Sequence, residues 1–328
     1  MNNVTRPIPL ISKVFFCCLI SLAASAQNTY RNQIGNRLDN DQYVDPYNDR
    51  YYMAGHLLNF TTVLNSNKDC ANLLSGGLVK KTLELEIGQQ IYGPFATWAR
   101  YDFIQDRPYT GYLYAGASLN WLYNNESALK ITAQIGTIGR ASQAERVQKA
   151  FHHAFGLKEP EGWQYQLNNE PGINLEAQYT HLLYRNESEW LDVAATPALR
   201  LGNTFSNANA AVQLRIGSID KLYQSAGTNS RVSMGGDHQK TEFYFFAIPQ
   251  LSYVAYNATI QGGMFVKDKG PVHFDVEPLV FTQILGLQFS SQRWSASYTA
   301  FIRGKEVKST ATGQQYGAIA LAYRFGAN

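Results

Sequence analysis

From residue 27 onward, apolar and polar residues alternate with a period of two, in segments of about 10 to 14 residues. In 129–136, Leu129, Ile131, Ala133 and Ile135 fall on one face, and Lys130, Thr132 and Gln134 on the other. In 294–302, Trp294, Ala296, Tyr298, Ala300 and Ile302 alternate with Ser295, Ser297 and Thr299. Near the C-terminus, Ile319, Leu321, Tyr323 and Phe325 share a side opposite Ala318, Ala320, Ala322 and Arg324. This pattern predicts strands near 30–39, 50–62, 80–91, 110–122, 128–139, 173–184, 190–202, 209–217, 242–256, 276–290, 293–304 and 315–325.

A secreted β-sandwich with one wet face would also alternate. Strands this long, rimmed with Tyr and Trp, instead carry the signature of a membrane barrel. Lipid cannot hydrogen-bond an exposed backbone, so such a sheet must close on itself. The predicted fold is all-β: a closed antiparallel transmembrane β-barrel of about 12 strands, as bacterial barrels have an even number. With the N-terminus in the periplasm, the loops 40–49 and 92–109 lie on the outer side. The supposed inner turns 63–79 and 218–241 are longer than inner turns usually are, and 258–271 fits no element.

One stretch breaks the period. Residues 142–155 read as a single amphipathic helix, extracellular because it joins the fifth and sixth strands. Ser142-Gln-Ala-Glu145 reads as a capping box, Gly156 as the stop, and Pro160 bars continuation. Gln148 and His152, four apart, share a face. Val147, Ala150, Phe151, Ala154 and Phe155 form an adjoining apolar stripe, expected to lie against an apolar wall.

Composition narrows the compartment. Arg6 and Lys13, an apolar 14–23 and Ala24-Ser25-Ala26 make residues 1–26 a signal peptide, leaving 27–328 as one barrel domain. Its apolar run is too short to span a bilayer, and no later run of 18 apolar residues exists. Cys17 and Cys18 leave with the signal, so Cys70 has no intrachain partner. Setting Arg6 and Lys13 aside from 28 Lys and Arg leaves 26 against 25 Asp and Glu, which gives no case for nucleic acid as a partner. A last strand ending in aromatic Phe325 resembles the assembly signal of outer-membrane barrels, although Gly326-Ala-Asn328 follows it.

Three clusters fall at the outer end: Asp39-Asn40-Asp41, Asp49-Arg50-Tyr51-Tyr52, and the helix with Gln148 and His152. Carboxylate and amide oxygens suit a hard cation such as Ca²⁺. A neutral imidazole suits a general base acting on water. Each also has a plain reading: Asp-Asn-Asp is common turn chemistry, and Asp106-Arg107-Pro108-Tyr109 could start a strand. His152 and His153 flank the stripe alike, so helical geometry does not choose between them.

From Asp39 nearly to the C-terminus, the chain resembles the outer-membrane lipid A 3-O-deacylase family. The resemblance is carried by Asp39-Asn-Asp41, Asp49-Arg-Tyr-Tyr52, Asp106-Arg-Pro-Tyr-Thr-Gly-Tyr-Leu-Tyr114, Gly136-Thr-Ile-Gly-Arg-Ala-Ser142, Gln148 with His152, and Gly162-Trp-Gln-Tyr-Gln-Leu-Asn-Asn-Glu-Pro171. It implies a twelve-stranded barrel in the outer membrane of a Gram-negative bacterium, expected as a monomer. Its partner is lipid A or lipopolysaccharide of the outer leaflet, from which it removes the 3′ ester-linked acyl group with Ca²⁺ as cofactor. The family's Asn-Asp pair falls on Asn40 and Asp41, as the metal-side pocket, and its helix Gln and His on Gln148 and His152. His152 would activate water, and Gln148 would orient a neighbour or the substrate.

Two departures stand out. Members commonly follow Tyr-Tyr with Thr-Asn-Gly, where this chain has Met53-Ala54-Gly55, and a thioether lacks the hydroxyl's donor. The family's acidic residue after the helix has two candidates, Glu159 and Glu161. The alternatives are an inactive relative that binds lipopolysaccharide, or a structural or pore-forming barrel.

Overall fold

A computed structural model describes residues 29–45, 50–65, 77–235 and 239–327. The predicted signal peptide 1–26, Asp49 and Cys70 lie outside the described residues. The strands are β1 (Tyr30–Asn40), β2 (Tyr51–Leu64), β3 (Leu78–Gly93), β4 (Thr110–Tyr123), β5 (Ser127–Ile138), β6 (Glu170–Arg185), β7 (Leu191–Ala195), β8 (Ala198–Gly202), β9 (Phe205–Ser218), β10 (Glu242–Asn257), β11 (Leu279–Ser290), β12 (Trp294–Arg303) and β13 (Gln314–Ala327). Each pairs antiparallel with its neighbours, and β1 pairs with β13 from Tyr30↔Ala327 to Asn40↔Gly317, which closes the barrel.

The expected twelve staves are present, one of them broken. The single strand predicted over 190–202 is β7 plus β8, both laid between β6 and β9. The break falls at Pro197, which has no N–H to give the ladder. The stave still holds there, because Thr196 N–H donates to Ala211 O and Pro197 O accepts from Tyr179 N–H.

The alternation read from the sequence sets the two faces. Ile34, Leu38, Leu58, Leu85, Ile87, Ile135, Ile173 and Leu175 all stand exposed on the outside. Their neighbours Gln33, Asp39, Thr61 and Gln134 are buried in the lumen. An apolar band of that extent around a closed sheet belongs in hydrocarbon, not water.

Both ends of the lumen are obstructed. At the end carrying the termini, residues 219–233 of the long connection before β10 turn inward. Asn229 meets three strands, joining Gln33, Thr61 and Glu84, while Lys80 Nζ donates to Ser230 O and Asn120 to Thr228 O. Its length, unexplained by the sequence, is that of a plug. At the far end Tyr51, Ile260, Val276, Val307 and Ala311 form an apolar cluster over the mouth. The unplaced stretch 258–271 contributes to this lid, opening with a one-turn helix, α2 (Ala258–Gln261).

The other helix, α1 (Ala144–Ala154), lies at the far end beside β3 and β4. Its start differs from the predicted capping box. Ser142 ends a preceding 3₁₀ turn, Gly139–Ser142, and its Oγ donates to Gly139 O. Gln143 takes a left-handed conformation and gives no side-chain cap, while Glu145 accepts from Gln166 Nε2 at 3.0 Å. Gly111 permits the close approach: a Cβ there would strike Ala144 and Ser142. The C-terminus is as predicted, since Gly156 has φ +64 and its N–H donates to His153 O, while Leu157 N–H donates to His152 O.

Candidate active site between helix and barrel wall

The helix is turned opposite to expectation. Its buried residues are Ala144, Gln148 and His152, spaced by four, whereas Val147, Phe151 and Phe155 are 45%, 49% and 66% exposed. The stripe rule assumes water outside and an apolar core inside. Beside a barrel whose outer wall meets lipid, the apolar face turns outward and the polar edge turns to the wall.

A cleft of about 240 Å³ opens between that edge and the far ends of β1, β2 and β3. Asn40, Met53, Gln89, Gln148 and His152 line it, with Leu38, Val147 and Phe151 at its apolar margin. His152 is buried and His153 exposed, so the structure makes the choice that helical periodicity leaves open. The cleft runs along the outside of the wall, continuous with the lipid-facing band.

His152 is oriented by the turn that ends the helix. Its Nδ1 lies 2.5 Å from Lys158 O. A carbonyl can only accept, so Nδ1 carries the hydrogen, and whenever the ring is neutral Nε2 is its basic nitrogen. The left-handed Gly156 is what folds Lys158 back to make this contact. Glu159 and Glu161, the two acidic candidates, do not line the cleft; Glu159 pairs with Lys149 at 3.3 Å, Glu161 with Lys158 at 3.4 Å. Lys149 also bonds Glu145 at 3.1 Å, which raises its ammonium above the usual lysine value.

The Asp39-Asn40-Asp41 cluster divides. Asp39 takes two bonds from Arg37 and one from Tyr52 OH, at 2.6, 3.0 and 2.8 Å, so its carboxylate joins the lumen network although the residue also borders the cleft. Asn40 lines the cleft, its Oδ1 accepting from Gln42 N–H at 2.9 Å and capping a 3₁₀ turn, Asp41–Tyr43. Asp41 is buried next to it, with Oδ2 accepting from Arg50 N–H at 2.7 Å, and does not itself line the cleft. Three of the four predicted site residues thus share one cavity, and the fourth adjoins it through Asn40.

Gln148 is held between two residues. Its Oε1 accepts from the Trp163 indole N–H at 2.8 Å, and its Nε2 donates to Met53 Sδ at 3.2 Å. Met53 reaches this place because the β2–β3 register slips between Tyr52 and Ala54, a bulge that re-aims its side chain. Trp163 is 1% exposed and packs on Tyr109, ring centroids 4.7 Å apart. Sequence reasoning placed Trp163 in a motif without assigning it a contact, and it passed over Gln89, whose Nε2 ties the wall to Ser142 O at 2.6 Å.

Asp106-Arg107-Pro108-Tyr109 is a structural hub, as its plain reading held. Asp106 accepts from Tyr51 OH and Phe95 N–H, both at 2.9 Å. Arg107 lies over the Tyr92 ring, and burial pushes its guanidinium below the ordinary arginine value. Among the described residues, no group of three or more His, Cys, Asp and Glu is arranged to hold a metal.

The family model described as "Outer membrane protein LpxR" matches residues 14–325. The solved structure of LpxR from Salmonella typhimurium superposes with a TM-score of 0.70 at 20% identity, covering 89% of this chain and 100% of that one. Two other barrels match less well. The β-domain of the Bordetella autotransporter BrkA gives a TM-score of 0.47 at 8% identity, over 90% of this chain and 100% of that one. The translocator domain of NalP from Neisseria meningitidis gives 0.42 at 10%, over 90% and 89%. No curated protein matches the chain. With the family model covering nearly its whole length, the chain is an outer-membrane β-barrel of the LpxR family, the lipid A deacylase family its motifs resemble.

Proposed function

We propose that the protein hydrolyses the 3′ ester-linked acyl group of lipid A, with His152 as general base. The observation that carries this reading is the His152–Lys158 contact, which leaves a basic Nε2 on a buried, cleft-lining ring. Nε2 takes a proton from water as its oxygen attacks the ester carbonyl. The bond between the carbonyl carbon and the sugar oxygen then breaks, and the same proton passes to the departing sugar alkoxide. As the ring becomes cationic, its Nδ1–H bond to Lys158 O shortens in effect and holds it in place. The apolar margin of Leu38, Val147 and Phe151 suits the acyl chain, which enters sideways from the leaflet.

Calcium fits the residues present in kind. Asn40 supplies an amide oxygen and Asp41 a carboxylate, each anchored by a backbone N–H, and both are hard oxygen ligands. Two side chains fall short of the six to eight oxygens calcium takes, so backbone, water or substrate oxygens complete the set. When bound, the ion supplies positive charge beside the developing oxyanion.

The closed β1–β13 seam leaves no strand edge to pair with another copy, which supports action as a monomer. A pore is disfavoured by the 219–233 segment across the lumen. Mass spectrometry of lipid A from cells carrying the protein tests the reading: an acyl chain is lost with wild type and retained with His152→Ala. Retention of all acyl chains with folded wild type would refute it. In planar bilayers the wild-type protein conducts no ions.

A further inference from the structure

The two contacts of Gln148 settle which end of its amide faces the reaction. An indole N–H only donates, so the Gln148 atom 2.8 Å from Trp163 Nε1 is the oxygen, and the amide admits no flip. Nε2 therefore points the other way, to Met53 and the cleft. Gln148 is 5% exposed. One of its two amide hydrogens meets a thioether, a weak acceptor, and the other has no protein acceptor among the described residues. A buried donor left this poorly matched is expensive unless something completes it.

We propose, resting on the hydrolase reading, that Gln148 Nε2 donates a hydrogen bond to the substrate carbonyl oxygen as it becomes an oxyanion, and that Trp163 is the positioning residue fixing that polarity. The carbonyl oxygen gains negative charge when water adds, so a fixed donor helps the transition state more than the ground state. Trp163 is itself immobile, buried against Tyr109. Met53 serves the same end. Its sulfur fills the space beside Gln148 without competing strongly for the N–H, so the donor passes to the substrate at little cost. On this account the Met53 departure is compatible with turnover.

The test is steady-state hydrolysis of purified lipid A by the full-length protein in detergent micelles. Gln148→Glu is the informative variant, because a carboxylate still accepts from Trp163 but can no longer donate. Its kcat falls about 10²- to 10³-fold, the usual loss of one oxyanion donor, while KM moves far less. Trp163→Phe lowers kcat about tenfold, and the double variant is no slower than Gln148→Glu alone, since one effect runs through the other. An acyl-phosphonate mimic of the tetrahedral state binds wild type more tightly than Gln148→Glu, whereas a non-hydrolysable ether analogue binds both alike. If Trp163→Phe fails to fold, Gln148→Glu and the phosphonate comparison still decide. Wild type that removes no acyl chain would overturn the hydrolase reading and this proposal with it. Active wild type with an undiminished kcat in Gln148→Glu would overturn this proposal alone.

Discussion

The two ends of the barrel bury polar groups in opposite ways. At the terminus-bearing end, Arg215 is 1% exposed and Asp192 0%, joined by bonds of 2.9 and 2.6 Å, with Ser225 taking a third at 2.8 Å. Arg324, also fully buried, has no carboxylate partner among the described residues and instead spreads its guanidinium over Gln33, Ser290, Ser295 and three backbone carbonyls. These donors are matched by strong, fixed acceptors, and breaking such a network leaves a stranded charge. In the helix cleft, a buried amide meets a sulfur, and an imidazole is oriented by a single backbone carbonyl at Nδ1. The matched Arg215 and Arg324 help hold the cylinder together; on the proposed reading, the weakly matched Gln148 amide is what the substrate completes.

That contrast predicts effects that cross over. His152→Ala lowers lipid A turnover by about 10²- to 10⁴-fold, as loss of a general base does, yet leaves heat-modifiable gel mobility unchanged. Arg215→Ala does the reverse, destabilising the folded barrel by about 3–5 kcal/mol in urea titrations while the folded fraction keeps its specific activity. Equal effects of both variants on both readouts would erase the distinction. Asp41→Ala and chelator treatment each reduce turnover about 10²-fold, and added Ca²⁺ restores only the chelated wild type. Unchanged turnover in Asp41→Ala would remove that residue from the site. Asn229→Ala loosens the plug by about 2–3 kcal/mol, roughly 1 for each of its three hydrogen bonds, and leaves turnover untouched. Smallest of all, Met53→Thr changes kcat by no more than about threefold, because the contact it replaces is weak.

The strands were legible because lipid outside and water inside impose a period of two that single residues report directly. Even the stave over 190–202 could be located, though not its break, since Pro197 sits in an otherwise regular alternation. The helix was legible as an element and misread in orientation, for Val147, Phe151 and Phe155 point to lipid where a soluble protein would bury them. Its capping box failed because Gln143, in a left-handed conformation, takes the cap position after Ser142, and Glu145 turns to Gln166 instead. The 218–241 connection has no periodicity to read, and its role exists only in long-range bonds such as Asn229 to Gln33. The site followed the same division. Asn40, Gln148 and His152, read from motifs, come together in one cleft, while the contacts of Trp163 and the Lys158 carbonyl depend on how two loops fold back.

The capped lumen has a kinetic consequence. Residues 219–233 are wedged into one end and the Ile260–Val307 cluster lies at the other, while the His152 cleft opens on the outside of the wall. On the proposed reading, the substrate arrives by diffusion in two dimensions, within the leaflet itself. Throughput is then governed by areal density and lateral mobility of the surrounding lipid, so a stiffened membrane would slow this protein with every side chain intact.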